Sequence, residues 1–240
     1  MRVELLVVEF AGLPGAGKTT VAARAAELLR QRGRQPVERA AVCRAPSGRL
    51  AHYRSLFGFF LGHPQVIGRA VRYGWSVRPR RLWRLRDALK VAAWAPRLAR
   101  ARQDGRTLVL LDQGVVQQAW CPLVGGTLAD ADSLPRALAP VLELPGLRFA
   151  WVEINVPAER AARRIAQRPT DLSPFDRLPQ SEAERRLRAS EGQLERVLEV
   201  ATGLTGGPSR RLDGEGLVED TARSVVRFVE DQTESSGSHG

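Results

Sequence analysis

One short stretch near the start of the chain has residue types and a spacing that suit the binding of phosphate. Residues 12–19 read Gly-Leu-Pro-Gly-Ala-Gly-Lys-Thr and fit the pattern G-x-x-x-x-G-K-[ST], between an apolar run and a helical pattern. The glycines let successive backbone N–H groups turn toward one anion, and the start of a helix adds its dipole. The predicted phosphate loop for ATP consists of Gly12, Pro14, Gly15, Ala16, Gly17, Lys18, Thr19 and Thr20.

Lys18 is one of only two lysines in a chain that has 35 arginines. A lysine ammonium is a compact charge on a flexible stem, whereas the planar arginine fork is wider and harder to seat in a tight loop. We therefore predict that Lys18 follows the β- and γ-phosphates and acts in catalysis. The alternative is a glycine-rich turn that binds no ligand.

Asp112 is the predicted carboxylate for a bound magnesium ion. It follows the apolar run Leu108–Leu111, which is typical of a strand buried on both faces of a parallel sheet. Ligands of such sheets bind at the carboxyl ends of the strands. We predict that Thr19 and Asp112 hold Mg²⁺ directly or through water, and that Asp112 can also orient or deprotonate an acceptor hydroxyl. The alternative is an aspartate that only ends a strand.

An arginine-rich helix is predicted after Pro157. Arg160, Arg164 and Arg168 recur every four residues and share one helix face, with Arg163 beside them. Arginines in this arrangement are suited to stabilise the charge that spreads over a phosphoryl group during transfer. A solvated basic face remains the alternative.

The elements that must position these residues alternate along the chain. Apolar runs predict strands at 3–11, 37–43, 107–111, 148–154 and 210–212. Helical patterns occupy 18–32, 157–167, 181–200 (opened by a capping box, Ser181–Glu184) and 217–231. The predicted fold is a three-layer α/β P-loop domain with a parallel sheet of about five strands.

No linker divides the chain, so we predict one domain over residues 1–232, with a disordered tail at 233–240. Residues 49–104 show no strong strand signal and are predicted to be a helical insertion, broken at Gly62-His63-Pro64, Arg78-Pro79 and Pro96. A lid is predicted at about 160–180.

The net charge of +11 is concentrated in the middle of the chain, where residues 44–106 contain fifteen basic residues and two acidic ones. A polyanion, an acidic membrane or a phosphorylated substrate is expected to meet this segment. Aromatic residues lie among these arginines. They predict stacking of a substrate base or sugar, binding of nucleic acid, or an ordinary helix core beneath a solvated basic face.

The sequence supports neither a membrane-spanning protein nor a protein stabilised by disulfides or zinc. No apolar run approaches the ~18–20 residues of a membrane span, and the first apolar run contains acids, which favours a strand over a signal peptide. Cys43 and Cys121 are too few and too far apart for a disulfide framework or a zinc site, so we expect reduced thiols and a cytoplasmic protein.

The segment EFAGLPGAGKTTVAARAAELLRQRG resembles the opening of thymidylate kinases and related nucleoside and nucleotide kinases. CRAPSGRL (43–50), LVLLDQG (108–114) and VPAERAARRIAQR (156–168) resemble later segments of that family in the same order. The resemblance implies an ATP-dependent kinase, often a homodimer. It also implies that Arg164 lies against adenine, that Arg163 or Arg168 closes on phosphates, and that Arg44 contacts the acceptor.

Two positions depart from the family pattern. Ala45 replaces an acidic residue, and Gln113 replaces the arginine that follows the strand-end aspartate. Gln113 and Gln117 can hydrogen-bond an uncharged acceptor, or can simply be polar residues at a helix start. The predicted activity is therefore phosphotransfer to a nucleotide or nucleoside. The alternatives are a kinase of a non-nucleotide hydroxyl (a sugar, an antibiotic or a nucleic-acid 5′ end) and a slowly hydrolysing ATP-binding module that acts through a partner.

Overall fold

The computed structural model describes residues 4–44, 58–168 and 174–234. Its main sheet has five parallel strands in the order β2-β4-β1-β6-β7. These strands are β1 Leu5–Ala11, β2 Val37–Glu38, β4 Leu108–Leu111, β6 Leu147–Asn155 and β7 Ser209–Asp213. The predicted parallel sheet of about five strands is confirmed.

Helices cover both faces of the sheet. They are α1 Lys18–Gln31, α2 Arg39–Cys43, α3 Pro64–Ser76, α4 Leu82–Ala92, α5 Trp94–Gln103, α6 Val115–Trp120, α7 Ser133–Leu142, α8 Ala158–Ala166, α9 Gln180–Thr205 and α10 Val218–Glu234. Helix α1 packs against α10 on one face, and α9 packs against α6, α7 and α8 on the other. The three-layer arrangement predicted from the alternating pattern is confirmed.

The central strand β1 is buried along its whole length, because β4 and β6 pair with it on either side. All four residues of β4 are also buried, as the continuous apolar run predicted. The carboxyl ends of β1 and β4 therefore lie side by side at one edge of the sheet, where the phosphate loop and Asp112 begin.

The second predicted strand, 37–43, is wrong beyond its first two residues. Only Val37 and Glu38 pair with β4, and the chain then turns into the short helix α2. The segment Arg-Ala-Ala-Val-Cys contains two alanines, which favour helix. This change brings Arg39 to the carboxyl end of β2.

The helical segment after β2 has breaks near all three predicted places. His63 lies just before α3, and β3 (Val77–Arg78) interrupts the helices near Pro79, where it pairs antiparallel with β5 (Thr127–Leu128). The third break lies at Ala93, between α4 and α5, so Pro96 falls in the first turn of α5, where a missing N–H costs no helical hydrogen bond.

The predicted capping box at the start of the long polar helix is also wrong. Pro179 is the N-cap of α9, and Ser181 lies inside the helix. Glu184, the acid of the predicted box, pairs with Arg188 at 2.7 Å instead of returning to cap the backbone. Within the described ranges, no helix is long and apolar enough to cross a bilayer.

Candidate active site

The phosphate loop joins β1 to α1 and is held in place by close backbone contacts. Gly12 has a φ of 149°, and a Cβ added there would lie 2.6 Å from the carbonyl oxygen of Ile154 in β6. Gly15 has a φ of 89°, and a Cβ there would overlap the carbonyl oxygen of Ala161 in α8. Only glycine fits these two positions without moving a neighbouring element.

Helix α1 begins at Lys18, and its N-cap residue, Gly17, provides no side chain to cap it. The N–H groups of the first helical turn have no partner within the helix, so they can face a ligand at the loop. An anion in this position also interacts favourably with the helix dipole. The local backbone therefore forms a phosphate-binding cradle.

The Lys18 side chain is buried and spans the mouth of this cradle. Its Nζ donates hydrogen bonds to the carbonyl oxygens of Gly12 (2.6 Å) and Leu13 (2.9 Å). Burial, and then the nearby Arg168 guanidinium, lower the pKa of Lys18 to about 8. An anionic phosphate beside Nζ would favour the protonated amine, so ligand binding and protonation of Lys18 support each other.

Three polar side chains from separate elements converge on the end of β4. The Thr19 hydroxyl donates to Asp112 Oδ2 over 2.6 Å, and Arg39 Nε donates to Asp112 Oδ1 over 2.7 Å. The predicted pair Thr19 and Asp112 is thus brought together. A hydroxyl and a carboxylate are the hard oxygen ligands that Mg²⁺ uses, with water completing its shell, and so these residues fit the predicted metal.

Arg39 was not predicted to belong to the site. The pattern 37–43 indicated a strand, and a strand gave no reason to assign its single arginine to the site. The structure places Arg39 directly after β2, with its side chain partly exposed and in contact with Asp112. It supplies a cation next to the position where Gln113 departs from the family arginine.

Glu9 is a fully buried carboxylate in the middle of β1 and was also missed. It accepts hydrogen bonds from the backbone N–H groups of Val115 (2.8 Å), Val116 (2.8 Å) and Gln117 (3.1 Å) at the start of α6. Burial raises the pKa of Glu9 to about 7, although these N–H groups act in the opposite direction. An acid inside an apolar strand was the sequence signal that could have identified it.

Glu9 also explains the conformation of the turn after Asp112. A Cβ added to Gly114 would lie 2.6 Å from the Glu9 carboxylate. The carboxylate and Gly114 together fix the turn that joins β4 to α6. This turn determines where Asp112 and the first side chains of α6 lie relative to the phosphate loop.

The predicted lid arginines have different partners. Arg164 donates to the carbonyl oxygens of Gly214 (2.9 Å) and Ala16 (3.3 Å), so it connects the phosphate loop with the turn after β7. Arg163 pairs with Glu159 on the same helix at 2.8 Å. Arg168 is exposed and close enough to Lys18 to lower its pKa. The middle of the lid, 169–173, lies outside the described residues.

Helix α6 follows Asp112 and carries the next polar residues beside the loop. Gln117 is buried, and its Oε1 has no hydrogen-bond partner among the described residues. Cys121 lies one helical turn further on, where burial raises the pKa of its thiol to about 11. The predicted acceptor residues Arg44 and Gln113 are exposed, and Ala45 lies outside the described residues.

The aromatic residues of the helical segment divide into two groups. Tyr73 and Trp94 are buried in the core, whereas Trp75 and Trp83 are partly exposed. Arg84 is buried and donates to the carbonyl oxygens of Pro122, Val124 and Gly125. The prediction that these aromatic residues form an ordinary helix core therefore holds for Tyr73 and Trp94. Tyr53 and Phe57 lie outside the described residues.

Comparisons with known proteins give a family and two similar folds. Residues 7–197 match a family whose description is AAA domain. The fold is similar to deoxyadenosine kinase from M. mycoides with bound dATP, at a TM-score of 0.47 and 12% identity over 93% of this chain and 98% of that chain. The same kinase with bound dCTP has a TM-score of 0.47 and 14% sequence identity to this chain. The match covers 95% of this chain and 99% of that chain. No curated protein matches the sequence.

Proposed function

The chain belongs to the AAA domain family, and on that premise we propose that it is an ATP-dependent phosphotransferase. We propose that it moves the γ-phosphoryl group to a small acceptor, a nucleoside or a nucleotide. The observation that carries this proposal is the meeting of Thr19, Asp112 and Arg39 beside the buried Lys18. Such an arrangement would provide a metal-binding pair and two cations beside one phosphate cradle.

The donor half of the reaction follows from the phosphate loop. The first-turn N–H groups of α1 bind phosphate oxygens, and Lys18 exchanges its contacts with Gly12 and Leu13 for the β- and γ-phosphates. Thr19 and Asp112 would hold Mg²⁺ directly or through water, and the bound ion would neutralise charge that develops on the phosphates. This change of partners requires no large movement of Lys18, because its Nζ already lies against the carbonyl oxygens of the loop.

The transfer itself forms a bond between the acceptor oxygen and the γ-phosphorus while the bond to the β–γ bridging oxygen breaks. If the acceptor is a hydroxyl, its proton passes to Asp112. A phosphate acceptor is already ionised and needs no base. Arg39 contacts Asp112 and adds positive charge at the point where negative charge spreads over the equatorial oxygens.

The lid completes the site from the other side. Arg164 is anchored to the phosphate loop and to the turn after β7, so we assign it to the adenine side. Arg163 and Arg168 are the arginines that close on the phosphates, with Arg168 already near Lys18. Their closure would exclude water and thereby favour transfer over hydrolysis.

Gln117 is the residue that we assign to acceptor recognition, together with Arg44 and Gln113. A buried carboxamide oxygen without a partner in the described part of the chain is costly unless a ligand satisfies it. A carboxamide can accept and donate at once, which suits the edge of a nucleobase. The thymidylate kinase-like subtype, a homodimer and a cytoplasmic location are further proposals that rest on the sequence alone.

A second candidate is a kinase of a non-nucleotide hydroxyl. It is favoured by the exposed, uncharged Gln113 at the position where the resembled family has an arginine. A neutral side chain at this position suits an acceptor without a phosphate. Asp112 would then act as the base for the acceptor hydroxyl.

The test is ADP formation from ATP and Mg²⁺ with nucleosides, nucleoside monophosphates, sugars and 5′-hydroxyl oligonucleotides as acceptors. Turnover that depends on a nucleoside or nucleotide supports the proposal, and turnover with a sugar or an oligonucleotide supports the second candidate. Slow hydrolysis that no acceptor changes would indicate an ATP-binding module instead. Lys18→Ala is the control that shows that any turnover comes from this site.

A further inference from the structure

The solvent-facing side of α4 carries an unusual mixture of apolar and basic residues. Leu82 is 77% exposed, Trp83 40% and Leu89 36%. Arg86 and Lys90 are also exposed, and at 100° per residue these five residues occupy one third of the helix circumference. We call these five residues the α4 face. Nothing in the described ranges covers it.

The loop that leads into α4 extends the positive charge of this surface. Arg78, Arg80 and Arg81 are all exposed, and the guanidinium of Arg80 lies 5.6 Å from the ring centre of Trp75. The single acidic residue between residues 58 and 103 is Asp87. Asp87 is buried, and its Oδ1 lies 2.6 Å from Lys90 Nζ and 3.6 Å from Arg86 Nε, so one carboxylate faces two cations. Within the described ranges, Arg78, Arg80 and Arg81 form no ion pair, so the surface keeps a positive excess.

We propose that the α4 face and its basic loop bind the surface of an anionic phospholipid bilayer. The arginines and Lys90 complement anionic headgroups, while Leu82, Trp83 and Leu89 enter the boundary between headgroups and acyl chains. Tryptophan favours this boundary, because it is amphipathic. An eleven-residue helix is about 16 Å long, so α4 lies flat on the bilayer and does not span it.

Two other occupants fit the α4 face less well. A second copy of the chain would bring the same positive charges together, and like charges oppose such a contact. Single-stranded nucleic acid would use the cations and a tryptophan ring, but it gains little from Leu82 and Leu89. One face of the Trp83 ring is also covered by Arg84, at 4.7 Å from the ring centre.

This inference does not depend on the proposed catalytic function. The inner side of α4 packs against α6 and against the following turn Cys121–Leu123, which border the acceptor side. The bilayer would therefore contact the outer side of a helix whose inner side supports the site. The phosphate loop, at the carboxyl end of β1, is formed by other residues.

The test is cosedimentation of the full chain with vesicles of phosphatidylcholine alone and of phosphatidylcholine with phosphatidylglycerol. We expect binding only to the mixed vesicles, at least tenfold weaker at about 500 mM than at about 50 mM salt. Leu82→Ser/Leu89→Ser keeps every charge and should bind at least tenfold more weakly. Leu217→Ser, which removes an exposed leucine (72%) elsewhere, is the matched control and should bind like the wild type.

A failure of the wild-type chain to bind the mixed vesicles would overturn the proposal. Equal vesicle binding by the wild type and by Leu82→Ser/Leu89→Ser would also overturn it. So would a wild-type chain that binds a single-stranded oligothymidylate but not the mixed vesicles. Arg81→Gln/Arg86→Gln provides a second variant with the leucines intact, and it should also lose at least tenfold in affinity. Circular dichroism and thermal unfolding of each variant ensure that a loss of binding is not a loss of fold.

Discussion

The phosphate loop and the acceptor side of the site are assembled in different ways. The loop is one contiguous stretch, 12–19, whose shape is imposed by its own backbone and by contacts with β6 and α8. The region beside the loop, where we propose that the acceptor binds, depends on single residues from four places in the chain: Glu9, Arg39, Asp112 and Gln117. The first arrangement is visible in a linear sequence, and the second exists only after the sheet has formed.

This difference predicts separable effects of mutation. Changes in the loop should remove catalysis or destabilise the fold through local backbone contacts. Changes on the acceptor side should alter the use of the acceptor, or the response to pH, while ATP still binds.

The largest expected effect is that of Lys18→Ala, which removes the amine in the phosphate cradle. We expect kcat/KM for ATP-dependent transfer to fall by about 1000-fold, because the amine stabilises charge in the transition state. The melting temperature should not fall, since a buried ammonium is costly to hold. Steady-state kinetics and thermal unfolding measure the two quantities.

Lys90→Ala is the matched control for this experiment, because Lys90 is the other lysine of the chain and is exposed on α4. Its activity should stay within about twofold of the wild type. Equal activities for the two variants would remove Lys18 from the mechanism.

Gly15→Ala should be among the most destabilising changes in the loop. Gly15 has a positive φ, and the new methyl group would overlap the Ala161 carbonyl, so we expect a loss of about 3 kcal/mol in the free energy of unfolding. Gly33→Ala is the control, because Gly33 has a φ of 76° but no atom within 4 Å of the new methyl group. It should lose only about 1 kcal/mol. Urea unfolding tests this, and equal losses would contradict the contact with α8.

Glu9 should make stability depend on pH in an unusual direction. Its pKa of about 7 in the folded chain lies above the ordinary value of 4.5, so the folded state keeps a proton that the unfolded state loses. The contribution of Glu9 is therefore fully present below pH 4.5 and is lost as pH rises to about 7. The loss across this window is about 3 kcal/mol.

Glu9→Gln removes this titration, so the difference in unfolding free energy between the variant and the wild type should change by that amount across the window. Urea unfolding of both proteins at several pH values measures it, and the other carboxylates cancel in the difference. A difference that stays constant with pH would show that Glu9 is ionised throughout.

The smallest expected effect is that of Gln117→Leu on the acceptor side. We expect the KM for the acceptor to rise about tenfold and the KM for ATP to stay unchanged, because a hydrogen bond to the acceptor is lost. Gln118→Leu changes the neighbouring glutamine, which is less buried, and should leave both constants unchanged. An equal rise in both KM values for Gln117→Leu would place Gln117 outside the acceptor site.

The sequence predicted the parts of the molecule that local patterns control. The loop, the buried strand before Asp112 and the parallel sheet depend on neighbouring residues, and the structure bears out the strand and the sheet. Arg39 could not be predicted, because its position depends on where β2 stops pairing with β4. The role of Glu9 required knowing that α6 starts beside β1.

Corrections to the predicted elements have the same origin. The break predicted at Pro96 lies three residues earlier, at Ala93, because proline is tolerated in the first turn of a helix. The Ser181–Glu184 pattern looked like a capping box, but the helix begins at Gln180 and Glu184 pairs with Arg188. In both cases the exact start of the helix decides the outcome, and the sequence pattern left that start open by a few residues.

The fate of the γ-phosphate of labelled ATP, followed in the presence of the best acceptor, distinguishes transfer from hydrolysis. We predict that nearly all of the label appears in a phosphorylated acceptor and that Lys18→Ala abolishes its appearance. If the label appears as inorganic phosphate at the same rate with and without every acceptor, the protein is not a phosphotransferase to a small molecule. The acceptor role of Gln117 would then be wrong as well.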